Sequence, residues 1–142
     1  MALDLDALEV SFDLVAARGD ELVDDFYRRL LATAPTVKPL FAGTDMHRQR
    51  AMLLAALVLV RKSVRDLEAI VPKLQELGAR HVAYGAQPAH YAVVGEVLIA
   101  SLAAVAGEAW RPRYERAWIS AFEVVAGAML EGAAATQLRT AA

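Results

Sequence analysis

Three polar side chains stand on helical faces that are otherwise hydrocarbon: Tyr27, Gln49 and His81. His81 ends the stripe Ile70, Leu74, Leu77 in the stretch "LQELGARHVAYGAQPAHY", and Tyr91 follows just beyond the next turn. Gln49 stands one helical turn before Leu53, at the head of the stripe Leu53, Leu57, Val60, Val64. Tyr27 shares its face with Val23, Leu30 and Leu31. Burying such groups costs free energy unless each finds a partner. Taken singly, each has a bland reading. A lone histidine on an apolar face is more often a hydrogen-bonded core residue than a ligand, a tyrosine can bury its ring and keep its hydroxyl wet, and a glutamine near a helix start can be solvated. Taken together, three helices each bring one polar group to an aliphatic interior. One imidazole is too few for a structural zinc site, which takes four protein ligands. It is enough for haem, whose porphyrin supplies four nitrogens and leaves the protein one axial position.

The composition narrows the field. The chain has 142 residues, which fits one domain over residues 1–142. Hydrophobic residues make up 57% and aromatic residues only 7%, so the expected core is aliphatic. With 15 basic and 17 acidic residues the net charge is −2 and no basic block stands out, so nucleic acid is not an expected partner. There is no cysteine, which excludes disulfides, thiolate metal sites and a cysteine nucleophile. The longest uncharged apolar run, Ala51–Val60, is ten residues, short of the roughly 20 that a membrane span needs. The stretch Tyr91–Gly107 is longer but carries Glu96 and Ser101. The acidic start "MALDLDALEV" does not read as a signal peptide. A cytoplasmic protein without membrane contact is the expectation.

The elements that must position these side chains all read as helices, and no segment alternates long enough to argue for a strand. Breaks at Gly19-Asp20, Pro35 to Pro39, Ala42 to Thr44, Pro72, Gly85 to Pro88 and Gly107 to Pro112 predict six longer helices and a short turn. The expected spans are about 5–17, 21–33 with Asp20 as N-cap, 45–64 capped by Thr44 or Asp45, 72–84, 88–106 and 112–138. The two longest, with stripes Tyr91, Val94, Leu98, Leu102 and Trp118, Phe122, Val125, Met129, form a natural core pair. The shorter helices then pack around that pair at steep angles.

These residues resemble a bacterial globin of the single-domain haemoglobin and flavohaemoglobin-like group. The resemblance runs from about Leu5 to Met129 and is most specific in "ARHVAYGAQPAHYAVVGEVL". There a basic residue and a histidine, Arg80 and His81, precede a short turn, Tyr91 and the element Val94-Gly95-Glu96. "DFYRRLLATAPTVKPLF" and "RAWISAFEVVAGAM" agree equally well. The resemblance implies an all-α globin fold packed around haem b (iron protoporphyrin IX). It implies His81 as the proximal iron ligand, Phe41 as the corner phenylalanine flat on the haem, Tyr27 and Gln49 on the distal side, and Leu53 lining the ligand side. Val94 would line the cofactor, Arg80 is a candidate for a propionate contact, and Tyr91 would hydrogen-bond beside His81. His90 reads as a surface residue, and His47 as facing solvent or the haem edge. One departure stands out. The glutamate that completes the proximal network in flavohaemoglobins falls on Ala133, and Glu131 lies about 200° round the helix from it.

By resemblance, the ligands are the diatomic gases O2, NO and CO, bound reversibly, with no catalytic residue assigned. The alternatives are NO dioxygenation, with a separate reductase to restore ferrous iron, and gas sensing. A haem-free interaction module is a third class, against which His81 and Phe41 argue. Monomer and homodimer both remain open.

Overall fold

The computed structural model describes residues 3–141, and the remaining residues of the 1–142 span lie outside the described set. Six α-helices run in the order α1 (Leu5–Ala16), α2 (Gly19–Thr33), α3 (Met46–Lys62), α4 (Val71–Ala83), α5 (Pro88–Ala106) and α6 (Pro112–Ala141). Short 3-10 segments occur at Pro35–Phe41, Val64–Ile70 and Gly107–Ala109. No strand occurs among the described residues. The all-α expectation and the proline-marked starts of α5 and α6 hold.

Local chemistry explains the boundaries and two corrections. Asp4 caps α1 by accepting the Ala7 N–H, and Asp45 caps α3 by accepting from His47 N and Arg48 N. Asp20, expected to cap α2, lies inside it. That helix starts at Gly19, with Arg18 at the cap position and no side-chain cap bond. Arg18 serves elsewhere: it chelates Glu21 and donates to the carbonyl of Val105, near the end of α5, at 2.6 Å. The third helix stops at Lys62 rather than Val64. Asp66, at φ −150° and ψ 63°, breaks the helical run, and Val64–Ile70 tightens into 3-10 turns that bury both terminal side chains. "PTVKPLF" also folds as 3-10 turns, as two prolines four residues apart favour short pieces over a full helix.

One large apolar cluster joins α1, α2 and α5 with the start of α6. Leu8, Phe12 and Val15 meet Leu22, Phe26 and Leu30, with Leu98, Leu102 and Trp118 behind them. Inside it, the Trp118 indole N–H donates to the Ser11 hydroxyl at 2.8 Å, and Ser11 donates to the Ala7 carbonyl at 2.6 Å, so this buried polar pair is satisfied. A second cluster joins Ile70 and Leu74 to Ala128 and Met129, with Leu77, Tyr91 and Val125 against it. By length and composition the Pro88–Ala109 and Pro112–Arg139 segments are apolar enough to cross a membrane, which the run-by-run reading of the sequence missed. Here their apolar faces serve the two clusters.

The expected α5–α6 pair forms, and it closes where Gly95 admits the Phe122 ring: a Cβ on Gly95 would stand 2.7 Å from it. The tighter crossing, not foreseen, is α4 on α6. A Cβ on Gly78 would sit 1.8 Å from the Met129 carbonyl oxygen, and one on Gly132 would sit 1.9 Å from that of Gln75. The two backbones therefore touch at two glycines. Gly78→Ala is expected to destabilise the fold by about 1–3 kcal/mol or more, because the crossing must open. Gly127→Ala, a helical site with nothing within 4 Å of the added methyl, is expected to stabilise by about 0.5–1 kcal/mol. Denaturant unfolding of the two variants checks the opposite signs.

Candidate functional site

The site is built from α2, α3, α4, α5 and the Pro35–Phe41 turns. The amphipathic face of α2 buries Tyr27 to 6% exposure, between Phe26 and Leu30. Asp45 starts α3 so that Gln49, one turn on, reaches across to α2. Its Nε2 donates to the Tyr27 hydroxyl oxygen at 3.0 Å. That bond occupies a lone pair of the phenol and leaves the Tyr27 O–H free to donate. The Phe41 ring stands edge-on to Tyr27, with centroids 5.7 Å apart. Leu53 and Val94 pack against the same cluster and stay half-buried.

On α4, the Gly78 crossing holds the helix against α6 one turn before His81. The His81 Nδ1 lies 2.7 Å from the Leu77 carbonyl oxygen. A carbonyl only accepts, so Nδ1 carries the proton. Burial pushes the imidazole pKa down, and the Arg80 charge adds to this against the opposing Leu77 bond. The ring is therefore held neutral with its Nε2 lone pair unprotonated, the form in which histidine binds a metal. The Tyr84 ring stands edge-on to it at 5.6 Å.

The inward stripes of α3, α4 and α5 are not closed at this end. Leu57, Leu74 and Leu98 are buried, but Leu53, Leu77, His81, Tyr91 and Val94 are half-buried. Half-buried apolar side chains on these three helices, an unprotonated imidazole nitrogen on α4 and a free phenol donor on α2 are the groups that a large apolar cofactor carrying a metal would use.

The sequence-predicted residues divide into those the structure joins and those it leaves apart. Tyr27, Gln49 and Phe41 are in direct contact. Tyr91 packs with Leu77 and Leu74 in the second cluster, but the hydrogen bond expected of it is absent: its hydroxyl is buried without a partner. Ala133 offers no acceptor, and Glu131 is turned away to accept from Gln75 Nε2 at 3.2 Å. Arg80 is exposed and forms no ion pair among the described residues. His47 is exposed too. His90 lies at the surface, as expected. It is half-buried, and its Nδ1 accepts the Gln87 N–H at 2.9 Å in a reciprocal cap at the start of α5. Sequence reasoning missed Arg50, whose charge acts on Tyr27 from beside Gln49. The Leu77 carbonyl was missed as well, although a position four residues before a helical histidine is where such an acceptor is found.

Burial raises the Tyr27 pKa above the usual phenol value of 10.0, against the Gln49 hydrogen bond and the Arg50 charge. The folded chain therefore holds this proton more tightly than the unfolded chain does. The resulting stability is full below pH 10 and is lost as pH rises through the raised value. Unfolding free energy measured on either side of pH 10 is expected to fall less steeply in Tyr27→Phe than in the wild-type chain.

A family model described as Globin matches residues 24–129. A flavohemoprotein of Bacillus subtilis is 26% identical over 128 residues, covering 89% of this chain and 32% of its own length. One of Bordetella parapertussis is 30% identical over 114 residues, covering 79% of this chain and 28% of its own. The chain thus spans about a third of the length of these relatives. Among solved structures, a bacterial globin from Campylobacter jejuni superposes with a TM-score of 0.79 at 21% identity, over 91% of this chain and 93% of that one.

Proposed function

Because the chain belongs to the globin family, whose members bind haem, we propose that it holds haem b with His81 as the iron ligand and binds the diatomic gases O2, NO and CO reversibly. The observation that carries this reading is the protonation pattern of two side chains. His81 spends its Nδ1 proton on the Leu77 carbonyl and keeps Nε2 free, while Tyr27 accepts from Gln49 and keeps its own proton free. Phe41, Leu53, Val94 and Tyr91 would supply the apolar walls, and Arg80 would meet a propionate. When bound, the haem supplies the iron that takes up the gas.

The chain's own residues do the rest. Nδ1–H on Leu77 fixes the His81 tautomer and ring angle. Tyr27, itself buried, presents a proton donor at a position of low local dielectric, where a hydrogen bond to a partly charged acceptor counts most. Gln49 holds the Tyr27 oxygen in place. The unpartnered Tyr91 hydroxyl favours gas binding over oxidative turnover. No carboxylate reaches the proximal side through it to raise the basicity of the ligand.

Two measurements on the haem-loaded protein test this. Hydrogen bonds to charged groups are worth about 1.5–3 kcal/mol, so Tyr27→Phe is expected to raise the O2 dissociation rate by about 10- to 100-fold. CO release, with little charge to stabilise, should hardly change. An unchanged O2 rate means that Tyr27 is not the donor. His81→Ala is expected to abolish the five-coordinate ferrous spectrum, and its persistence would refute the ligand assignment.

A further inference from the structure

Arg29, Arg50 and Arg61 are the half-buried cations among the described residues. Arg29 is paired with Asp25 at 3.1 Å, and Arg61 with Asp13 at 3.0 Å and Glu9 at 3.4 Å. Arg50 forms no ion pair among the described residues. The other cations without an ion pair are exposed, where water screens them. Asp45, the acid at the start of α3, is held by the backbone N–H groups of His47 and Arg48. A cation drawn partly out of water without a counter-charge costs free energy. That cost is met at Arg50 and at no other cation among the described residues.

The side of α3 that carries Arg50 is fixed by its neighbours. Met46, four residues before it, and Leu53, three residues after it, pack against the main cluster, and residues at these spacings share a helix face. Leu54, four residues after it, lies on the start of α2, where a Cβ on Gly19 would stand 3.0 Å from it. Arg50 is therefore on the flank of α3 turned to α2, next to Gln49, whose amide donates to the Tyr27 hydroxyl at 3.0 Å. Its charge reaches that hydroxyl and opposes the upward push of burial on the phenol pKa. No acid among the described residues acts there against it. A free O–H donor and a cation without a counter-charge thus meet at one place.

We propose that the candidate site also takes small monovalent inorganic anions, with Arg50 as their counter-charge and the Tyr27 O–H as their hydrogen-bond donor. The proposal rests on the haem reading above, and the anion is a ligand of the ferric iron. It brings one negative charge, no electron is transferred, and no covalent bond of this chain is made or broken. The chain as a whole carries a net charge of −2, which disfavours anions at long range, so the affinity comes from the local cation. Arg50 then ranks ligands by charge: a full anion gains most from it, partly charged O2 less, and CO least.

The test titrates azide, an anion at neutral pH, into the ferric haem-loaded chain at fixed ionic strength, and CO into the ferrous form as the neutral comparison. Arg50→Gln removes the charge, Arg50→Lys keeps it, and Arg48→Gln removes an exposed charge two residues away. Arg50→Gln is expected to weaken azide binding about tenfold or more, Arg50→Lys by less than about threefold, and Arg48→Gln by less than about twofold. CO affinity is expected to stay within about twofold in all three. Equal weakening in Arg50→Gln and Arg48→Gln would show an effect of net charge alone and overturn the proposal. Unchanged azide affinity in Arg50→Gln, or a parallel loss of CO affinity, would overturn it too. Weaker hemin uptake with unchanged azide affinity would place Arg50 on a haem propionate instead. A readout without haem is the absorbance titration of the tyrosines, with Tyr27→Phe marking the Tyr27 step. Arg50→Gln is expected to move that step to higher pH, since a cation that favours the phenolate is gone. An unmoved step would remove the contact between Arg50 and the ligand side and overturn the proposal. A chain that takes up no hemin would overturn the haem reading and the anion site with it, whereas hemin uptake without an Arg50 effect on azide overturns the anion site alone.

Discussion

The direct contact of the α4 backbone with α6 is the constraint on which the site depends. Gly78 and Gly132 remove the two side chains that would hold the helices apart, so each backbone rests on a carbonyl of the other. A helix placed by backbone contact has little freedom to slide or roll. His81 follows Gly78 by three residues, and Leu77, its acceptor, immediately precedes that glycine. The crossing therefore sets the position of the imidazole, and the Leu77 carbonyl sets its tautomer. A pre-placed neutral imidazole loses little entropy on taking a metal, which is how a supporting shell sharpens a ligand.

The other half of the site is placed by a different device. Tyr27 is carried by the buried face of α2, deep in the main cluster, while Gln49 is carried by the first turn of α3. The bond between them ties a core residue to a residue at a helix start, so the position of the phenol and the entry angle of α3 depend on each other. Arg50 adds a positive charge at the same place, which makes the local field favourable to a partly negative ligand. The acids of α1 and α2 pair with Arg29, Arg61 and Arg65, whereas Arg50 forms no ion pair among the described residues.

Much of this was legible in the sequence. Stripes at helical spacing marked every long helix, prolines marked the starts of α4, α5 and α6, and the polar residues that interrupt the stripes pointed to Tyr27, Gln49 and His81. Features that depend on the approach of two elements were not. Nothing local in "ELGARH" says that Gly78 touches Met129, since a glycine inside a helical pattern is silent about what lies across from it. The end of α3 was misplaced because the apolar stripe continues through Val64 while the backbone turns at Asp66. The cap that His90 makes was not legible because it depends on the reciprocal geometry of Gln87, not on a place on a helical face. The missing partner of Tyr91 was legible in outline, as an alanine where an acid was expected. Its structural form, a buried hydroxyl with Glu131 held by Gln75, was not.

The measurement that bears most directly on the central claim is the visible spectrum of the purified chain given one equivalent of hemin, reduced, and then returned to air. A neutral imidazole ligand and a free phenol donor predict an intense Soret band that shifts on reduction and shifts again in air to a persistent oxygenated spectrum. A chain that takes up no hemin, or whose Soret band is the same with His81 replaced by alanine, would contradict the account.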